Sequence, residues 1–249
     1  MTVDGSFTPP PPPPPPPSVR EPRWGLGDAV GGWAVAYLAA LVWSGVLLVA
    51  SGVTSTDELT LTMVALTYPP LWLGFVGIPV WVAHAKGNGW IADFRVRIRA
   101  WDVPLGAAAG LATQLLVVPL LSLPILWLAG KSADDLSAPA RELADKAVGP
   151  GGAILFILIV GVGAPIAEEL FYRGLVLRAF EKRFGRWWAL AGSSVWFGAT
   201  HFQPLQFVGL TAAGAVFGYL TIRTGRLGPA IAAHMAFNLT AAVVLLWMT

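Results

Sequence analysis

Apolar residues in this chain come in long blocks, without the strict alternation of a half-buried strand or the narrow stripe of a surface helix. Seven blocks stand out, near residues 27–53, 61–85, 104–130, 151–177, 187–202, 205–222 and 228–248. A helix that crosses a bilayer needs about 20 mainly apolar residues, and the fifth block is short by that measure. The pattern predicts an all-α fold, a polytopic bundle of about seven spans. The second block contains "YPPLW" and Pro79, which predicts a kinked or broken helix, because proline removes a backbone donor. Neighbouring helices in a membrane bundle can satisfy the groups so freed.

Composition agrees with the pattern. The chain is 55% hydrophobic and 12% charged, with a mean hydropathy of +0.65, whereas soluble domains carry about 25% charged residues. A formal net charge of +2 argues against nucleic acid as a partner. The absence of cysteine excludes disulfides, a thiolate nucleophile and a cysteine metal site. Twelve tryptophans suit a protein with two membrane interfaces.

The first 24 residues differ from the rest. They hold nine consecutive prolines, Pro9 to Pro17, a stiff polyproline II run that packs no core. We read residues 1–24 as a disordered cytoplasmic spacer, with a protein partner of the proline-binding kind as the second reading, and 25–249 as the membrane-embedded domain. Basic residues orient the bundle. Twelve of the 16 lysines and arginines fall in the tail or in even-numbered loops, and three, Lys131, Arg141 and Lys146, in odd-numbered ones. The positive-inside rule then predicts a multi-pass protein of the plasma membrane with a cytoplasmic N-terminus and an external C-terminus. The third loop, "KSADDLSAPARELADKAVGPGG", is the longest outer segment and is expected to hold a short surface helix. "WIADFRVRIRAWDV" is expected to lie in the inner interface. "GAAAG" at 106–110 and "GAVFG" at 214–218 have the spacing of close helix packing. "NLT" at 238–240 sits within a span and is no glycosylation site.

Ionisable residues inside a membrane are functional candidates by default. Here they are Glu168, Glu169 and Arg173 in the fourth block, His201 late in the fifth and His234 in the seventh, with Asn238 as a polar neighbour. Asp28 and His84 lie near span ends and read as interfacial. Residues four apart share a helix face, so Glu169 can pair with Arg173, which lowers the cost of burying both. Glu168 is turned about 100° away and is left available. Phe197 with His201, and His234 with Asn238, share the same four-residue spacing. Counted from the inner span ends, Glu168, His201 and His234 can meet near mid-bilayer. A carboxylate in such a place can serve as general base and then general acid. A histidine can help deprotonate a water, and a histidine with an asparagine can donate to a developing oxyanion. Those are the parts for hydrolysing an amide without a covalent intermediate.

At these residues the chain resembles the CPBP family: the CAAX prenyl endopeptidases and bacteriocin-processing or self-immunity proteins, also called glutamic intramembrane proteases. The family pattern is EExxxR, then FxxxH, then HxxxN. The chain has Glu168-Glu169-Leu-Phe-Tyr-Arg173, Phe197-Gly-Ala-Thr-His201 and His234-Met-Ala-Phe-Asn238, in that order, in the fourth, fifth and seventh blocks. The resemblance covers roughly residues 150–245, the expected catalytic core. It implies an intramembrane endopeptidase with a conical catalytic cavity. By that analogy Glu168 activates water with help from His201, His234 and Asn238 form the oxyanion site, and Glu169, Arg173 and Phe197 support them. The implied partners are the bilayer and a membrane-associated protein or peptide, lipidated or not. No cofactor or metal is implied. Many family members have eight spans, which a split second block or a re-entrant segment would supply here.

Plainer readings stand beside this one. Glu169 with Arg173 is in large part a structural ion pair. His234 and Asn238 alone would read as polar glue between helices. A proton-coupled transporter also uses glutamate and histidine, but the chain lacks repeat symmetry and a second carboxylate cluster in the first three spans. A catalytically silent scaffold or immunity protein would keep the same residues. A metalloprotease with Glu168, His201 and His234 as ligands ranks below a metal-free site, since no HExxH is present.

Overall fold

A computed structural model describes residues 20–55 and 58–247 of the chain; the proline run expected to form a disordered tail lies outside them. Every regular element among the described residues is a helix. In chain order these are α1 (Leu26–Ser51), α2 (Leu61–Lys86), α3 (Trp90–Asp93), α4 (Asp102–Ala129), α5 (Ala133–Asp145), α6 (Gly149–Phe184), α7 (Arg186–Ala199), α8 (Phe207–Thr224) and α9 (Gly228–Trp247).

Six of them are long and apolar enough to cross a membrane. The exception among the seven predicted blocks is the fifth. Its helix, α7, has 14 residues, about 21 Å at 1.5 Å per residue, against a hydrocarbon core of about 30 Å. The sequence shows why it stops. "HFQP" follows, and Phe202 takes a left-handed backbone with φ of 55°. The connection after α7 then reaches α5, where Gln206 Nε2 donates to the carbonyl of Leu136 at 2.8 Å. The second block corrects one half of its expectation, the break: α2 runs as one helix through Pro69, Pro70 and Pro79. The fourth block extends seven residues beyond its apolar stretch. There Arg178 pairs with Glu181 at 2.9 Å, and Lys182 donates to the carbonyls of Pro22 and Trp24. Long basic side chains lay their stems on the bundle and keep their charged ends at its edge.

One end of the bundle is tied by the arginine-rich segment. Phe94 is buried, while Arg95, Arg97 and Arg99 are exposed, as an interfacial reading expects. The carbonyls of Arg95 and Arg97 accept the N–H groups of Leu227 and Gly228, at the start of α9, which would otherwise go unpaired. Asp102, fully buried, accepts from Arg226 Nε through both oxygens, at 3.0 and 2.9 Å, and also from Nη2. Asp28, near the start of α1, pairs with Lys86 at 2.5 Å. On the other face, α5 is the helix expected in the third loop. Its N-terminus is a capping box in which Asp135 accepts from the Ser132 backbone N–H at 2.8 Å. That bond, with the Ser132 hydroxyl and Lys131, holds the Asp135 carboxyl below its ordinary range.

α6 is the central helix. Residues Leu170 to Ala179 are buried without interruption, and only a helix enclosed on all sides shows no exposed stripe. Phe171 stacks on Phe75 of α2 with ring centroids 4.4 Å apart. The two GxxxG stretches pack as expected. A Cβ on Gly106 would lie 2.6 Å from the Pro229 carbonyl, one on Gly110 would enter the Ala233 carbonyl, and one on Gly214 would sit 3.2 Å from Ser194 Cα. Gly110→Ala should therefore lower stability by about 1–3 kcal/mol, the usual cost of overpacking. Thermal unfolding of the purified variant would read this as a lower midpoint; an unchanged one would mean that α4 and α9 separate freely.

Candidate active site

The central helix is wound unevenly where the charged residues lie. Two stretches of wide, i→i+5 turns, Ile157–Gly163 and Leu170–Val176, flank the ordinary α-turns of Ala164–Glu169. Local sequence favours the first of them. Pro165 has no N–H to return to the carbonyl four residues back, and the glycines let neighbours close in. A Cβ on Gly163 would lie 2.7 Å from Cζ3 of Trp72. Wide turns leave carbonyls free for other donors, and Asn238 Nδ2 donates to the carbonyl of Val160 at 2.8 Å.

Glu169 is completely buried and doubly engaged. Its Oε1 accepts from Arg173 Nη1 at 2.8 Å, the i,i+4 pair expected from spacing, and from His234 Nδ1 at 2.8 Å. Arg173, 1% exposed, also donates through Nη2 to the Gly214 carbonyl at 3.1 Å. Its guanidinium lies 4.4 Å from the centroid of the Phe197 ring and 5.3 Å from that of Phe217. A buried charge needs this many partners, since removing it from water costs several kcal/mol.

Glu168 differs from its neighbour. Its side chain is 17% exposed, and Oε2 stands 3.9 Å from His234 Nε2, too far for a direct hydrogen bond. It opens on a cavity of about 690 Å³, within the usual range for ligand sites. His201, His234, Asn238 and Phe197 line the same cavity. The two histidines are both held by Nδ1, which leaves Nε2 for the interior. His201 Nδ1 donates to the Phe197 carbonyl at 2.8 Å, and His234 Nδ1 to Glu169. Phe197 joins the parts: its ring meets those of Tyr172, His201 and His234 edge-on, at 5.2, 4.8 and 5.6 Å.

All seven residues picked from the sequence thus converge. Two features escaped that reading. The carboxylate that orients His234 is Glu169, 65 residues away in sequence, and no spacing rule reaches so far. Three tyrosines also line the cavity, Tyr37, Tyr68 and Tyr172. Tyr37 donates to the Thr200 carbonyl at 2.8 Å, and Tyr172 shares a 2.7 Å bond with the Thr200 hydroxyl. They anchor the residue just before His201. In sequence such tyrosines look like interfacial ones. Among the described residues no group of three His, Asp or Glu side chains is arranged to hold a metal ion.

Comparison with known proteins gives this geometry its context. Residues 150–240 match the family described as type II CAAX prenyl endopeptidase Rce1-like. The chain is also 32% identical over 84 residues to YdiL of Bacillus subtilis (strain 168), described as a candidate membrane peptidase. That alignment covers 34% of this chain and 34% of YdiL, so the chain matches about a third of its relative's length. No solved structure matches. The matched segment contains all three charged or polar motifs that converge on the cavity, so over residues 150–240 the chain is similar to the CAAX-type membrane endopeptidases.

Proposed function

We propose that the chain is an intramembrane endopeptidase that hydrolyses a peptide bond of a membrane-associated or lipidated protein, with a water activated by Glu168. The observation that carries this reading is the division of labour between adjacent carboxylates. Glu169 is spent on Arg173 and His234, while Glu168 makes no direct hydrogen bond to either and faces the cavity with both histidine Nε2 atoms.

In the proposed cycle, Glu168 takes a proton from a water as its oxygen attacks the scissile carbonyl carbon, with His201 Nε2 helping to hold the water. The carbonyl π electrons move onto oxygen. That oxyanion accepts from His234 Nε2–H, in the ring state that carries both protons, and from the second N–H of Asn238. Glu168 then returns its proton to the leaving amine as the C–N bond breaks. Glu169 and Val160 act one step back: the first fixes the His234 ring and the second fixes the Asn238 amide. The tyrosine pair on Thr200 steadies the backbone before His201.

Terminal proteomics of membranes carrying the wild-type protein or Glu168→Gln tests this reading. New protein termini that need Glu168 are expected; identical sets would refute it. The transporter reading is less well supported, because Glu168 and the histidines form one cluster, without a second carboxylate cluster among the described residues of α1, α2 and α4. Uptake of a solute into vesicles, lost in the same variant, would revive it.

A further inference from the structure

We infer that Gln114 of α4 is a substrate-binding residue of the same cavity: its side-chain amide pairs with the backbone of one substrate residue next to the scissile bond, and so helps to set which bond is cut. This assignment rests on the peptidase reading. Gln114 lies outside residues 150–240, the segment similar to known endopeptidases.

Beyond Asp102 at its start, α4 has three polar side chains: Thr113, Gln114 and Ser122. Thr113 does not line the cavity, and its hydroxyl donates to the Ala109 carbonyl at 2.7 Å. Ser122 is 1% exposed and buried against Gly209. Gln114 is partly buried, lines the cavity, and its amide makes no hydrogen bond among the described residues. It stands twelve residues from the first residue of α4 and fifteen from the last, about mid-span. An amide without a partner at that depth is costly. An extended substrate has the complementary need. The N–H and C=O of one extended residue point to the same side, and a glutamine amide offers the acceptor and the donor that they require. The other cavity amides are less free. Asn238 spends one N–H on the Val160 carbonyl and Gln206 one on the Leu136 carbonyl, while Gln203 lies in the connection after α7, outside any helix.

Helix packing sets the height of Gln114. α4 and α9 run side by side from the end where Arg226 holds Asp102. A Cβ on Gly106 would meet the Pro229 carbonyl and the Ala233 nitrogen, and one on Gly110 would meet the Ala233 carbonyl and the Phe237 nitrogen. One turn further along α4 is Gln114, and one turn further along α9 are Phe237 to Ala241. Phe237, Asn238 and Ala241 line the cavity. Gln114 thus faces the cavity at the level of Asn238, the amide placed at the oxyanion in the proposed cycle. The winding of α4 marks the same place. Thr113–Val117 is a stretch of wide, i→i+5 turns, like the two that flank Glu168 in α6, and such turns are frequent at functional sites.

Gln114→Leu tests the assignment, since it removes the amide and keeps much of the volume. The probe is a synthetic peptide spanning a terminus that forms with the wild-type protein and not with Glu168→Gln, offered to purified enzyme in micelles. kcat/KM should fall about tenfold through a rise in KM, the effect of two neutral hydrogen bonds lost from substrate binding. The unfolding midpoint should stay at or above that of the wild type, because an unpartnered amide has left the membrane. Unchanged kcat/KM overturns the assignment, and so does a midpoint that falls together with activity, which would give Gln114 to folding. Single backbone esters, placed in turn on either side of the scissile bond, each remove one substrate N–H. One position should slow the wild type several-fold and leave Gln114→Leu unaffected; equal effects on both enzymes at every position overturn the assignment. If no terminus depends on Glu168, the peptidase reading and this assignment fall together. If such termini exist and Gln114→Leu cuts them as the wild type does, the assignment alone falls.

Discussion

Glu168→Gln is expected to yield a folded protein with peptide-bond hydrolysis lowered by about 10²–10⁴, the range for loss of a general base. The substitution keeps the size of the side chain. It breaks no direct hydrogen bond to the ion-pair cluster, since the nearest polar atom given for it, His234 Nε2, is 3.9 Å away. The unfolding midpoint should therefore stay near that of the wild type. Single-turnover hydrolysis of a substrate found by proteomics, alongside thermal unfolding of the same preparation, checks both halves. A folded variant with undiminished hydrolysis would mean that another group activates the water.

Glu169→Gln should behave in the opposite way. Glu169 neutralises Arg173 and orients His234 from a fully buried position. Breaking a buried pair from one side costs about 3–5 kcal/mol, because the remaining guanidinium keeps only the Gly214 carbonyl and two aromatic faces. Low yield and a depressed unfolding midpoint are expected. Adding Arg173→Met removes the stranded charge and should restore part of the stability. Hydrolysis should not return with it, since His234 Nδ1 still lacks its carboxylate. Full recovery of activity in the double variant would show that Glu169 serves folding alone. A stable but inert Glu169→Gln, paired with an active Glu168→Gln, would exchange the roles of the two carboxylates.

Local rules account for what was legible beforehand. The Glu169–Arg173 pair, the shared face of His234 and Asn238, and the close packing at both GxxxG stretches follow from 3.6 residues per turn and from glycine's missing side chain. Long-range facts were hidden. The hydropathy of α6 ends where its charges begin, so the helical turns from Arg178 to Phe184 were missed. The prolines of α2 suggested a break, yet a helix packed between neighbours carries them. The helix α5 was expected as a short surface element; its apolar residues Leu136, Pro139, Ala140 and Leu143 line the cavity, and nothing local says what that face covers. Asn238 was expected to donate to a developing oxyanion; that one of its amide hydrogens serves the Val160 carbonyl had no signal in the sequence.

The wide turns on either side of Ala164–Glu169 carry a consequence for chain length. A turn with more residues than the α-helix shifts the rotational register of everything beyond it, so the direction in which Glu168 points depends on how many residues the helix spends, as well as on which they are. Removing one apolar residue between Ile157 and Gly163 and restoring ordinary winding would swing the preceding part of α6 by about 100° relative to Glu168. The Val160 carbonyl would turn from Asn238, and the faces that meet α2 and α9 would change. Exchanging one aliphatic side chain for another in the same stretch leaves the winding intact. Across natural variation this segment should accept many apolar spellings and almost no insertions or deletions.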